Sequence, residues 1–170
     1  MHKPLLIAAG LLAAGPALAA GIDIDLELPR IDVADYRRPY VAVWLERPDN
    51  SVAASLAVWY DGKMRNGEGA KWLKDMRQWW RRAGRELAMP VDGLTSATRH
   101  PGRHGLSFTV GQAPLQALPA GEYRLLVEAA REHGGREVLS LPFHWPPLQA
   151  TRSDAHGQHE ISAVSLRLNP

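Results

Sequence analysis

A threonine hydroxyl becomes a phosphoryl acceptor when the backbone around it can approach another protein closely and a base or metal takes its proton. Residues 92–98 read Asp92-Gly93-Leu94-Thr95-Ser96-Ala97-Thr98 and offer such a hydroxyl at Thr98. Gly93, Ser96 and Ala97 are small, so a partner's active site could close around Thr98. Asp92 is expected to orient the stretch by accepting backbone N–H groups, as Asp does in turns. Met89-Pro90 precedes the stretch and Pro101-Gly102 follows it, so an accessible loop between breakers is expected.

Other chemistry has weaker support. Seven histidines raise the question of a metal site. His100 and His104 have helical spacing, but Pro101-Gly102 between them prevents a shared helical face. His144, His156 and His159 lie towards the C-terminus and could hold copper or zinc, although exposed or core histidines are the commoner case. No nucleophile elbow, zinc-protease motif or phosphate-binding glycine loop is present. Glu122, Glu128 and Glu132 read as a solvated strand face rather than a glycosidase pair. Trp72, Trp79 or Trp80 could stack on a flat ligand with Arg81 or Arg82 neutralising its charge, or they could simply anchor a core.

The elements that must position these residues follow from periodicity. Met1-His2-Lys3, an apolar run over Leu5 to Ala14, Pro16 and Ala17-Leu18-Ala19 read as a signal peptide over 1–19, leaving 20–170 as a single exported domain. The apolar run is shorter than the ~20 residues a spanning helix needs, and no later stretch supplies one. With no cysteine there is no disulfide, thiolate metal site or iron–sulfur cluster. A net charge of +2 and export both argue against nucleic acid as a partner.

Ile22 to Leu28 alternates apolar and acidic residues, as a half-buried strand does. Tyr40 to Glu46 and Ser55 to Tyr60 flank the turn residues Pro48-Asp49-Asn50 and read as a hairpin. Tyr123 to Ala129 and Arg136 to Phe143 form a second hairpin around His133-Gly134-Gly135. Leu106 to Val110 and Ile161 to Leu168 alternate again, and the polar stretch from Gln149 to Gln158 reads as a loop. Lys71 to Gly84 instead carries Trp72, Leu73, Met76, Trp79, Trp80 and Ala83 at helical spacing, with Gly84 as its C-terminal cap and Lys74, Arg77, Arg81 and Arg82 off the stripe. The chain is therefore mainly β: an antiparallel β-sandwich of the immunoglobulin or fibronectin type III class with one short crossover helix.

Two resemblances add to this reading. Residues 92–98 resemble the acceptor motif of the FAD:protein FMN transferase, Asp-x-x-Ser/Thr-Gly/Ser-Ala-Thr, with Ser96 where Gly is commoner. The whole exported chain resembles a bacterial periplasmic family, domain of unknown function 2271. That resemblance rests on Trp-Leu-x-x-Met-Arg-x-Trp-Trp-Arg (Trp72 to Arg81), Asp92 to Arg99, Gly121 to Glu132, and the Gly-Gly-Arg-Glu turn at Gly134 to Glu137. It implies FMN joined to Thr98 through a phosphoester, a site made of Asp92, Thr95, Ser96, Ala97, Thr98 and Arg99, and two partners: the FMN transferase and a PepSY-type membrane reductase. Arg99 would stabilise the reduced flavin. The alternatives are a cofactor-free binding or accessory module of the same fold, or a metal-handling sandwich using the C-terminal histidines.

Overall fold

The computed structural model describes residues 20–170; the expected signal peptide, 1–19, lies outside the described residues. Nine strands form two sheets. They are β1 (Gly21–Leu28), β2 (Tyr40–Glu46), β3 (Val52–Trp59), β4 (Thr95–Ser96), β5 (Gly102–Thr109), β6 (Gly121–Ala130), β7 (Arg136–Trp145), β8 (Thr151–His156) and β9 (Ala163–Asn169). One sheet has the order β5-β1-β9-β8 and the other β4-β3-β2-β6-β7. Every pairing is antiparallel except the short β3–β4 pair. The mainly-β sandwich expected from the alternation is the fold that forms.

The alternation in β1 is used as predicted. Ile22, Ile24, Leu26 and Leu28 are buried between the sheets with Val41, Val43 and Leu45 of β2 and Val164, Leu166 and Leu168 of β9. Strand β2 is buried along its whole length. Its alternate residues Tyr40, Ala42 and Trp44 face a second cluster with Val58, Leu73, Met76 and Trp79. The five-stranded sheet is thus covered on both faces: by the other sheet, and by the β3–β4 crossover.

That crossover departs from the single helix expected over 71–84. It is a 3-10 helical segment (Arg65–Asp75), a short helix α1 (Arg77–Arg82) and a 3-10 turn (Gly84–Glu86). The buried residues explain the break. Leu73, Met76 and Trp79 recur every three residues, a spacing an α-helix winds apart by about 60° per step and a 3-10 turn keeps in line. Met76, at φ −76° and ψ 72°, separates the two segments. Gly84 is not the cap; Ala83 is. Gly84 is small because a Cβ there would lie 2.6 Å from the Trp79 ring.

Two further expectations are corrected. The stretch from Gln149 to Gln158 is not all loop: Thr151–His156 is an edge strand paired with β9. Its sequence is polar because its side chains are largely exposed, and the Arg152 guanidinium contacts Asp154 and Ser165. Strand β5 also begins at Gly102, earlier than Leu106, in register with Leu28 of β1.

Candidate functional site

Residues 91–98 lie along the open edge of the five-stranded sheet. Their turn is held by one carbonyl: Val91 O accepts the N–H groups of Leu94 (3.2 Å) and Thr95 (3.0 Å) and the Thr95 hydroxyl (3.0 Å). Gly93 sits at φ +73°, a left-handed conformation that costs a side-chain-bearing residue energy. Leu94 is buried in the second cluster and pins the turn to the sheet. The chain then straightens into β4, where Leu94 O accepts Val58 N–H (2.9 Å) and Ser96 O accepts Tyr60 N–H (3.0 Å).

The stretch is therefore a turn and a two-residue edge strand, β4, followed from Ala97 by an irregular segment; the loop expected forms there and holds Thr98. The motif's positions separate into different physical roles. Thr95 spends its hydroxyl on the Val91 carbonyl. Asp92 is exposed and, among the described residues, takes no hydrogen bond, so the turn does not rest on its carboxylate as expected. Ser96 and Ala97 are exposed, and Ser96 has extended backbone, where Gly offers no conformational advantage. Thr98 is half-buried.

Thr98 borders a cavity of about 360 Å3 at one end of the five-stranded sheet. Tyr36, Arg37, Arg38 and Tyr40 form one wall, Trp72 and Asp75 of the crossover another, and Asp61, His100 and Glu132 complete the rim. The Tyr40 hydroxyl donates to Gly69 O (3.0 Å), and its ring meets Tyr60 edge-on at 6.2 Å. Burial, with the Asp61 charge adding to it, pushes the Tyr40 phenol up to about 12, against a hydrogen bond from Asp61 that acts the other way. Burial also raises Tyr36, against the opposing pull of Arg131, whose guanidinium lies 5.8 Å from that ring. Both tyrosines are neutral at physiological pH.

Of the residues expected to form the site, the cavity takes Thr98 alone. Asp92, Thr95, Ser96, Ala97 and Arg99 lie outside its lining. The Arg99 guanidinium sits 5.1 Å from the centre of the Trp59 ring. Arg38, whose Nη1 lies 3.5 Å from His100 Nε2, is the cation beside Thr98. Tyr36, Arg38 and Tyr40 were not found from sequence, because they lie about sixty positions upstream with no local motif. The crossover tryptophans divide: Trp79 is core, Trp80 borders a separate basic depression with Arg77 and Arg81, and Trp72 faces the cavity. Arg82 contacts Glu46 at 3.5 Å.

The acidic residues of β6 are not one solvated face. Glu122 is exposed and pairs with His144 at 2.9 Å, and Glu132 is half-buried on the cavity rim. Glu128 is fully buried: it accepts the N–H groups of Gln78 (3.1 Å) and Trp79 (2.7 Å) at the start of α1 and is paired with Arg136. The Gly-Gly-Arg-Glu turn is equally structural. Gly135 N–H donates to buried Glu160 (2.8 Å), which also takes two hydrogen bonds from Arg131. Glu137 accepts the four N–H groups of residues 158–161. Burial alone would raise its carboxyl, but those four donors outweigh it and hold it below the usual range.

His100 and His104 meet through backbone, with the His104 ring nitrogen 2.8 Å from His100 O. Among the described residues, no three His, Asp or Glu side chains are grouped as a metal ion needs.

The signature segments thus form one edge turn, one crossover layer and one corner between the sheets. The model of a family described as a predicted periplasmic protein, domain of unknown function 2271, matches residues 21–163. The chain belongs to that family. It is a periplasmic protein, in agreement with the export signal read from its N-terminus. Among the described residues, no helix of this family member is long and apolar enough to cross a membrane. No curated protein and no solved structure matches it.

The surroundings of Thr98 combine a hydroxyl with a cavity of small-molecule size. Thr98 is half-buried in the irregular segment just after β4, beside a cavity within the ~300–1,000 Å3 range of small-molecule sites. Aromatic rings, two arginines (Arg37 and Arg38) and three carboxylates (Asp61, Asp75 and Glu132) line that cavity.

Proposed function

We propose that this periplasmic protein is an electron carrier with FMN covalently attached at Thr98. The observation that carries the reading is the position of Thr98. It follows the end of edge strand β4 and two small exposed residues, Ser96 and Ala97, where a transferase can dock, and it borders a cavity that can receive what is attached.

Attachment is a phosphoryl transfer. Thr98 Oγ bonds to the FMN-side phosphorus of FAD, the pyrophosphate bond breaks, and AMP leaves. The hydroxyl proton passes to a base of the FAD:protein FMN transferase, with Mg²⁺ balancing the phosphate charge. The flavin would supply the redox chemistry, and a PepSY-type membrane reductase would supply the electrons. The protein's part is to hold the phosphoester just beyond edge strand β4 and keep the ring in a defined pocket.

The test is in vitro transfer. Purified, unmodified protein is incubated with the transferase, FAD and Mg²⁺, and covalent flavin is read as fluorescence of the denatured band. Wild type and Thr95→Val should become fluorescent, because the Thr95 hydroxyl is occupied by the Val91 carbonyl. Thr98→Ala should stay dark. A fluorescent Thr98→Ala protein, or a dark wild type, would overturn the reading and leave a cofactor-free binding module.

A further inference from the structure

Three groups on the cavity wall near Thr98 differ in what they can still bind. Tyr40 is a fixed wall, since its hydroxyl and ring are both engaged within the protein. Trp72 is half-buried, faces the cavity, and among the described residues donates no indole hydrogen bond. Tyr36 is half-buried beside it in the lining, with Arg131 near its ring. The two arginines also differ. Arg37 is paired with Asp35 at 3.1 Å, whereas Arg38 has no carboxylate partner among the described residues and contacts only His100. The cavity therefore combines two available aromatic surfaces, one guanidinium without a carboxylate partner among the described residues, the half-buried Thr98 and the carboxylates of Asp61, Asp75 and Glu132.

We infer that this cavity is a binding site for a planar ring carrying a phosphate: the ring lies against Trp72 and Tyr36, and Arg38 neutralises the phosphate. This deepens the proposal of FMN at Thr98 and rests on it for the identity of the ring. The chemistry matches the chain's own groups. An electron-poor fused ring stacks well on indole and phenol faces. Arg is the side chain whose planar fork suits phosphate oxygens. Tyr36 and Tyr40 remain protonated at physiological pH and add no negative charge, but Asp61, Asp75 and Glu132 share the lining, so the phosphate is placed on Arg38 and Thr98 and away from those carboxylates. Arg99, directed onto Trp59, is left outside the site and acts in holding the edge strand.

Two measurements separate this inference from the attachment itself. In the first, free FMN and free riboflavin are titrated into the unmodified protein and flavin fluorescence is followed. Wild type should quench both and bind FMN more tightly. Arg38→Gln should lose about tenfold in FMN affinity, the effect of removing one charge-assisted hydrogen bond, and leave riboflavin unchanged. In the second, flavin-loaded protein carries Trp72→Leu, with Trp80→Leu as control because Trp80 borders a different depression. Emission should rise several-fold in the first variant and not in the second, at unchanged FMN stoichiometry by mass. Trp72→Phe, which preserves packing, should fall between.

If the protein quenches free FMN through Trp72 and Arg38 but never gains FMN mass, the cavity assignment stands and covalent attachment fails. If it gains FMN mass while Trp72→Leu and Arg38→Gln behave as wild type, attachment stands and the cavity assignment is overturned. Equal affinity of wild type for FMN and riboflavin would remove Arg38 from the site.

Discussion

Gly93 and Ser96 show how a motif divides between folding and chemistry. A departure from Gly at Ser96 would matter if that position needed positive φ, but the left-handed residue is Gly93 and Ser96 is extended. Gly93→Ala should therefore cost about 1–2 kcal/mol of stability, a purely backbone penalty because no atom lies within 4 Å of the added Cβ. Thermal or urea unfolding measures it. Ser96→Gly should leave flavin loading by the transferase unchanged; a marked rise in loading would contradict the assignment. The acceptor hydroxyl and the small residues around it were legible in sequence. Trp72 was legible as a candidate stacking residue, but Tyr36 and Arg38 were not, because they sit in the segment between β1 and β2 and share a cavity with Thr98 only in the folded chain.

Strands were read well because each half-buried strand writes its own alternation, as β1 does. The crossover was read less well: its register is set by the sheet beneath it. Glu128, on β6, donates no helical signal to the crossover sequence, yet its buried carboxylate fixes the first turn of α1 through Gln78 and Trp79 and is paired with Arg136. Glu128→Ala should destabilise the protein by about 3–5 kcal/mol, since it leaves Arg136 and two N–H groups without their partner. Chemical denaturation of the variant would check this, and a loss under 1 kcal/mol would be inconsistent with the cap. At the same end of β7, next to Arg136, Glu137 links the sheets. Its carboxyl lies below the reference value of 4.5 in the folded state. Its stabilisation is therefore present above that pH and is lost as pH falls through the lower folded value. Glu137→Gln should flatten the acid limb of a stability-against-pH curve; an unchanged limb would show that the four N–H bonds do not act as described.

The molecule as a whole is a sandwich with a third, partial layer. Two sheets enclose one core, and the 65–86 crossover encloses a second against the outer face of the five-stranded sheet. Trp79 explains why the Trp-rich segment is needed: it is fully buried there, with Gly84 kept small beneath its ring. Trp72 and Asp75 of this third layer line the cavity at Thr98 together with Tyr36 and Arg38. A sandwich of two sheets was legible in the sequence; a third layer that lines a cavity needs the distances between elements. The central claim is that this arrangement presents Thr98 for covalent FMN. The most direct measurement is the intact mass of the exported protein, produced in the periplasm together with the FMN transferase. Wild type should carry one added FMN and Thr98→Ala none. An unmodified wild-type mass under those conditions, or FMN retained by Thr98→Ala, would contradict it.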